Sequence, residues 1–159
     1  MQELKASCHC GAVHFACQSA GPVPFMLCYC TICRKTAGGG GYAINLHGWA
    51  STLEVSGEAQ ISVYRARLDD GTLSPAERRF CSQCGSSLWV WDPRWPELMH
   101  PFASAVDSPL PAAPSRTRIM LAYKPDWLPV DADPVDRCHD EYPDTSLEDW
   151  HREQGLWEG

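Results

Sequence analysis

Seven of the nine cysteines fall into three short clusters. Cys8-His9-Cys10-Gly11 comes first, Cys28-Tyr29-Cys30-Thr31-Ile32-Cys33 second, and Cys81-Ser82-Gln83-Cys84-Gly85 third. A Cys-x-Cys pair on an extended strand puts both sulfurs on one face, because strand side chains alternate. A Cys-x-x-Cys turn followed by Gly gathers two sulfurs, and the Gly tolerates the positive φ that follows. One pair of each kind supplies four thiolates, the donor set of a closed tetrahedral zinc site. Cys8, Cys10, Cys81 and Cys84 are therefore expected to hold a structural zinc. The pairs lie 70 residues apart, so the metal would clip two ends of the chain's body together. Apparent binding energies of structural zinc reach ~10–16 kcal/mol, comparable to the stability of a whole domain. The alternatives are paired disulfides or free buried thiols, and the odd number of cysteines argues against a closed disulfide set.

The second cluster holds three cysteines with no fourth nearby. Three protein ligands and one vacancy form the pattern of a catalytic zinc, here on Cys28, Cys30 and Cys33. Zinc with three thiolates carries a net charge of about −1, which makes it a poor Lewis acid for a carbonyl. It still suits an incoming thiol, which it can hold as thiolate. The chemistry expected is thiol chemistry rather than hydrolysis. Arg34 and Lys35 follow at once, and could offset this charge or meet a substrate carboxylate. The run Gly38–Gly41 could bring backbone N–H groups close to an anion. Arg34, Lys35, Gly38 and Gly39 are thus the expected anion contacts. A closed site completed by a remote His or Cys, or a redox cluster, stays open as an alternative. Cys138, beside His139, is a minor candidate for such a ligand. Cys17 reads as a small buried hydrophobe.

The remaining candidates have plainer readings. Tyr29 and Ile32 either shape the mouth of the second site or pack beneath it. His9 and His14 are expected at the surface. His47, His100, His139 and His151 have no partner at ligand spacing. Trp89 and Trp91 alternate on one strand face and read as core. Arg65, Arg67, Arg78 and Arg79 read as a solvated face.

Short strands must position these groups. Val13, Phe15 and Cys17 alternate with Ala12, His14 and Ala16, which is strand periodicity. Tyr42–Leu46, Thr52–Val55, Ile61–Ala66, Leu88–Trp91 and Arg118–Ala122 are further candidates, rich in β-branched or aromatic residues. Leu68–Ala76, around Asp70-Gly71, reads as a loop. One short helix is expected after Cys33, ending at the glycines. Another is expected near the C-terminus, with Ser146 as N-cap and Asp149 three residues on. Leu147, Trp150 and Gln154 then share a face, and Gly155 ends the helix. Pro93–Pro114 reads as irregular connection with one or two short strands.

The chain has 159 residues, about one domain. Its composition, 44% hydrophobic and 21% charged, excludes a disordered or fibrous protein. No apolar run approaches the ~18 residues of a membrane helix. No signal peptide is visible, so a cytoplasmic location is expected, where clustered thiols usually mean metal or catalysis. Residues 126–159 hold eleven Asp and Glu against Arg137 and Arg152, while residues 1–125 are slightly basic. The division expected is a zinc-binding β domain over 1–125 and an acidic extension over 126–159, with one helix packed on the same domain. The overall charge of −7 disfavours nucleic acid or an anionic membrane as main partner.

Taken together, the clusters resemble the glutathione-dependent formaldehyde-activating enzyme family, whose domain is shared with centromere protein V. The matching pieces are CHCGAVHF, CYCTICRKTAGG, FCSQCGSSL, YKPDWLPV and SLEDWHREQGL, in the family's order. They span Cys8 to Leu156, nearly the whole chain. The resemblance implies a mainly β fold of small, tent-like sheets clipped by a structural zinc, with short helices. It implies two Zn²⁺ per chain: one on Cys8, Cys10, Cys81 and Cys84, one on Cys28, Cys30 and Cys33 near a glutathione-binding surface. The activity it implies is a carbon–sulfur lyase or synthase reaction, condensing glutathione with formaldehyde to S-(hydroxymethyl)glutathione. Tyr29 stands where many members carry His, which leaves the metal ligands intact but removes a possible proton carrier. Two other function classes remain in view at this point. One is a non-catalytic zinc-binding interaction module, the other a thiol-rich metal carrier or redox sensor.

Overall fold

Twelve short strands make three small sheets in a computed structural model that describes residues 1–159. The strands are β1 (Gln2–Ser7), β2 (His14–Ser19), β3 (Met26–Cys28), β4 (Ala43–Ile44), β5 (Gly48–Trp49) and β6 (Glu54–Ser56). They continue as β7 (Ile61–Tyr64), β8 (Glu77–Cys81), β9 (Ser87–Trp91), β10 (Leu98–Pro101), β11 (Thr117–Ile119) and β12 (Arg137–Cys138). Two helices, α1 (Thr31–Thr36) and α2 (Leu147–Glu153), complete the elements that matter for the site. The protein is mainly β, as expected.

The first sheet runs β1-β2-β6, the second β5-β10-β9-β8-β7, and both are antiparallel. The third runs β12-β11-β3-β4, with β11 parallel to both β3 and β12. Leu4, Phe15, Cys17, Leu88, Trp89 and Met99 form the main core between the first two sheets. Cys17 is buried there as a small hydrophobe, its sulfur where a Cβ on Gly48 would crowd it. A second core joins Cys28, Cys33, Val90, Phe102 and Ile119, so the triad is built into the packing of the third sheet against the second.

Several elements differ from the expectation. Cys8 and Cys10 do not lie on a strand: the chain leaves β1 at Ser7 and turns. The amide of Gly11, at φ 75°, donates to the carbonyl of Cys8 at 3.0 Å. The sulfurs are gathered by a turn, not by pleat alternation. The short helix contains Cys33 instead of following it, with Cys30 as N-cap accepting from the Cys33 amide. The expected strand Arg118–Ala122 ends at Ile119, where Met120 takes a left-handed φ of 61° and starts a 3-10 turn. Tyr42–Leu46 forms a strand only over Ala43–Ile44, with Asn45 adding an isolated bridge to Phe102. Strands β3, β5 and β12 span only two or three residues and β8 is half-buried along most of its length, so alternation hardly shows there, whereas β1 does alternate, with Leu4 and Ala6 buried between exposed Glu3 and Lys5, and was not expected. The β10 strand and a 3-10 turn at Ala103–Ala105 do lie inside the proline-rich connection.

The acidic segment is tied to the body at several points. Arg118 and Asp136 form an ion pair with side chains 5% and 2% exposed. The Trp150 ring stacks on Phe25 at 3.7 Å, and the Glu158 amide donates to Ala20. Ser146 and Asp149 form a full capping box at the start of α2, and Gly155 follows its end at φ 67°. This segment is more than a solvated tail. No helix is long and apolar enough to cross a membrane.

Candidate metal centres and active site

The fold brings Cys8, Cys10, Cys81 and Cys84 together, with their ligand atoms within 4.8 Å of one another. Cys8 Sγ lies 3.5 Å from Cys10 Sγ, and Cys10 Sγ lies 3.8 Å from Cys81 Sγ. Sulfurs on a tetrahedron of ~2.3 Å zinc–sulfur bonds stand ~3.8 Å apart. A disulfide would need ~2.05 Å, and all nine cysteines are free. The third cluster is a turn: the Gly85 amide donates to Cys81 O at 2.8 Å, with Gly85 at φ 77°. The Val13 amide donates to Cys8 Sγ at 3.2 Å.

The electrostatics of this cluster fit a cation. The Ser86 hydroxyl and amide, with the Cys10 amide, pull the Cys84 thiol down to about 5. The Ala12 amide draws Cys10 down too, but Cys8, burial and Cys84 outweigh it and push Cys10 up to about 12. Sulfurs this close repel as thiolates, so full ionisation requires a positive charge among them. The four donors could hold one metal ion.

Cys28, Cys30 and Cys33 form the second group, again with their sulfurs within 4.8 Å. Strand β3 delivers Cys28, the N-cap position delivers Cys30, and the first turn of α1 delivers Cys33. The Cys28 thiol draws Cys30 down to about 2, helped by Cys33 and the Cys33 and Ile32 amides. The same neighbours drive Cys28 sharply up, Cys30 first. Three soft donors with no fourth protein sulfur fit an ion that keeps one coordination position open. Cys138 is exposed on β12, outside both groups.

A cavity of about 470 Å³ opens on this triad, which provides room beside the sulfurs. Cys28, Cys30 and Cys33 contribute to its wall together with Ile32, Arg78, His100 and Tyr142. Tyr29 lies beneath the triad loop, buried and 5.3 Å from the Tyr42 ring, while Ile32 shapes the cavity. At the mouth, Arg94 is held by both oxygens of Asp92 and sits over the half-exposed Trp95 ring. His100 Nδ1 donates to Leu46 O at 3.1 Å, which leaves Nε2 as the acceptor, and burial holds the ring neutral.

The expected anion contacts lie elsewhere. Arg34, Lys35, Gly38 and Gly39 line a second cavity, about 650 Å³, shared with Cys8, His9 and Ser86. None of the four lines the cavity of the triad. Helix α1 separates the two spaces, with its sulfurs facing one and its last turn facing the other. The glycine run is also partly a packing device: a Cβ on Gly38 would meet Tyr42 O at 2.2 Å, and one on Gly41 would meet Leu128 Cδ2 at 2.4 Å.

Sequence comparison agrees with the geometry of the clusters. A family profile described as "Glutathione-dependent formaldehyde-activating enzyme" matches residues 3–120. The chain belongs to this family. A relative from Halomonas elongata, named "Putative glutathione-dependent formaldehyde-activating enzyme", is 59% identical over 156 residues. That alignment covers 98% of this chain and 99% of the relative. A crystal structure of a Rhodobacter sphaeroides protein is similar at a TM-score of 0.53 and 26% identity, over 67% of this chain and 91% of that one. In this formaldehyde-activating enzyme family member, the matched stretch contains both sulfur groups, Arg78 and His100. Tyr142 and Leu147, which also wall the cavity, come from beyond it.

Arg78, His100 and Tyr142 were not singled out for the site by sequence. Each is remote in sequence from the triad, and no spacing rule links them to it. The weak signal for Arg78 was its place three residues before Cys81, on the strand that feeds the third cluster.

Proposed function

We propose that the protein joins a thiol such as glutathione to a small electrophilic carbon such as formaldehyde, making S-(hydroxymethyl)glutathione, and runs the reverse. The observation that carries this reading is the open three-sulfur group on the wall of a 470 Å³ cavity. The family and the name of the Halomonas elongata relative support it. Zinc is the ion we assign to both groups, structural on Cys8, Cys10, Cys81 and Cys84, and catalytic on Cys28, Cys30 and Cys33. A zinc ion held by three thiolates lowers the pKa of a thiol bound beside it and keeps that thiol nucleophilic at neutral pH.

The chain's own residues supply the rest. The turn at Cys28 to Cys33 fixes three donors by its own hydrogen bonds, including Cys33 N to Cys30 Sγ at 3.3 Å. Ile32, Val90 and Ile119 give the cavity apolar walls that limit water around a reacting carbon. His100 Nε2 is the acceptor we assign for the thiol proton, because its other nitrogen is committed to Leu46. The carbon–sulfur bond then forms as the thiolate lone pair attacks the carbonyl carbon, and the carbonyl oxygen takes up the proton. Arg34, Lys35, Gly38 and Gly39 remain proposed contacts for the anionic part of a long thiol, reaching from the neighbouring cavity.

Formaldehyde and glutathione also combine unaided, so the test is a rate. Two-dimensional exchange NMR on an equilibrated mixture measures interconversion with and without protein. An exchange rate that rises at least tenfold with two-zinc protein, and falls back with Cys30→Ser, is the expected result. An unchanged rate with the two-zinc protein overturns the reading.

A further inference from the structure

Arg78 occupies an unusual position for an arginine. Two nearby arginines have a carboxylate partner: Arg65, just past β7, and Arg79, on β8, both pair with Glu77. Arg78 has none. Its Nε is buried without a hydrogen-bond partner. Its Nη2 points instead at Cys33 Sγ, 3.7 Å away, and the side chain lines the cavity of the triad. Asn45 Nδ2 approaches the same sulfur at 4.0 Å. A guanidinium keeps its charge at every physiological pH. A cation drawn into the protein needs an opposite charge within reach, because the desolvation cost is otherwise several kcal/mol.

Asp92, on the same cavity wall, already gives both oxygens to Arg94, so the negative charge left to Arg78 is that of the sulfur group beside it. Three thiolates around a divalent cation leave a net charge of about −1. One guanidinium beside them brings the centre to neutrality. Without it, a further anionic sulfur entering the open position would raise the charge to about −2 in a half-buried cavity, where like charges are poorly screened.

We propose that Arg78 is the positioning residue of this centre: its charge, delivered at Cys33 Sγ, offsets the negative charge of the three sulfurs and lets the open position accept a fourth anionic sulfur. This rests on the reading of Cys28, Cys30 and Cys33 as a metal centre, but not on glutathione or formaldehyde being the substrates. Arg78 acts through Cys33 and through charge, so a lysine at this position preserves most of the effect and a neutral side chain does not.

The experiment uses cobalt(II) as a spectroscopic stand-in for zinc in the full chain. Sulfur-to-cobalt charge-transfer absorption reports loading of each group, and the four-cysteine group serves as an internal control for folding. Arg78→Lys, Arg78→Gln and Arg78→Met are compared with wild type in competition with a chelator. Two neutral replacements of different shape are used so that the result survives one of them failing to fold. Neutral 2-mercaptoethanol is then added as probe of the open position.

The expected result is a loss of cobalt affinity at the triad of tenfold or more in a neutral variant whose four-cysteine spectrum is intact. Arg78→Lys is expected within about threefold of wild type, and the thiol-induced spectral change should need at least tenfold more 2-mercaptoethanol in the neutral variants. Equal triad affinity and equal thiol response in a folded neutral variant overturn the proposal. So does a defect seen with glutathione but not with 2-mercaptoethanol, which would make Arg78 a contact for the substrate's carboxylates. A wild type that never loads a second cobalt would sink the metal-centre reading beneath both.

Discussion

At the residue scale, the two sulfur groups differ in what surrounds them, and that difference sets the outcome of mutation. Cys8 and Cys81 are buried in the main core, whereas Cys10 and Cys84 are exposed. Losing one of the buried pair leaves polar sulfur chemistry inside the packing of Leu4, Val13 and Leu88. Cys81→Ser is therefore expected to cost several kcal/mol, a large part of a domain's ~5–15 kcal/mol, read as a drop in urea midpoint and in soluble yield. Cys30→Ser should behave differently. Cys30 is half-buried at the N-cap of α1, and Ser is itself a good N-cap. We expect a folded protein with one metal ion instead of two by native mass spectrometry. A Cys30→Ser protein that keeps two ions would show that the triad is not the second site.

At the element scale, α2 and the strand before it decide how the acidic segment is held. The Arg118–Asp136 pair is almost wholly buried, and Arg118 also donates to Asp131 O at 2.8 Å. Asp136 accepts from the Arg116 amide at 2.7 Å as well. Breaking such a pair from one side costs ~3–5 kcal/mol, because the remaining charge stays buried. Asp136→Asn is expected near the low end of that range, since the amide keeps some of the hydrogen bonds. Trp150→Ala, which empties the stack on Phe25, should cost ~3–5 kcal/mol. Ser146→Ala should cost only ~1 kcal/mol by removing a cap. The order of these three urea midpoints is the check. If Ser146→Ala proved the most damaging, α2 would be held by its cap and not by its packing. Because Tyr142 and Leu147 wall the triad's cavity, Trp150→Ala should also weaken thiol binding there.

At the scale of the whole molecule, pH exposes how the C-terminal segment closes on the body. His47 and His151 are buried near each other with Trp49 and Trp157 between and around them. Ala20 N donates to His47 Nδ1, and Val23 N donates to His151 Nε2, so both rings are read as neutral acceptors. Burial lowers His47 to about 4, with His100 and His151 adding repulsion, and burial lowers His151 as well. The unfolded chain thus binds protons that the folded one refuses between about 6.5 and 4. Stability should be full above pH 6.5 and fall as the pH drops through this window. His47→Asn keeps an acceptor for Ala20 and removes one titrating ring, so its stability should fall less steeply over the same range. Identical slopes for the two proteins, at matched metal content, would refute this assignment.

The sequence by itself determined the sulfur chemistry. Cysteine spacing is local, and a turn such as Cys81 to Gly85 closes on its own hydrogen bonds, so its donors are legible without a fold. The capping box at Ser146 and Asp149 was legible for the same reason. Burial of Phe15 and Cys17 followed from their period of two. What only the tertiary structure decided depends on contacts distant in sequence. Arg78 comes to Cys33 because β8 pairs with β9, whose Val90 packs beside the triad in one core. Read alone, it belonged to a solvated face. Tyr142 and His100 reach the same cavity from 109 and 67 residues beyond Cys33, and Arg34 and Lys35, one and two residues after Cys33, face the other side. A helix turns by about 100° per residue, so neighbours in sequence part company while strangers meet. Nearness along the chain set which sulfurs come as pairs or as a triad, and packing joined the two pairs and set which charges the sulfurs see.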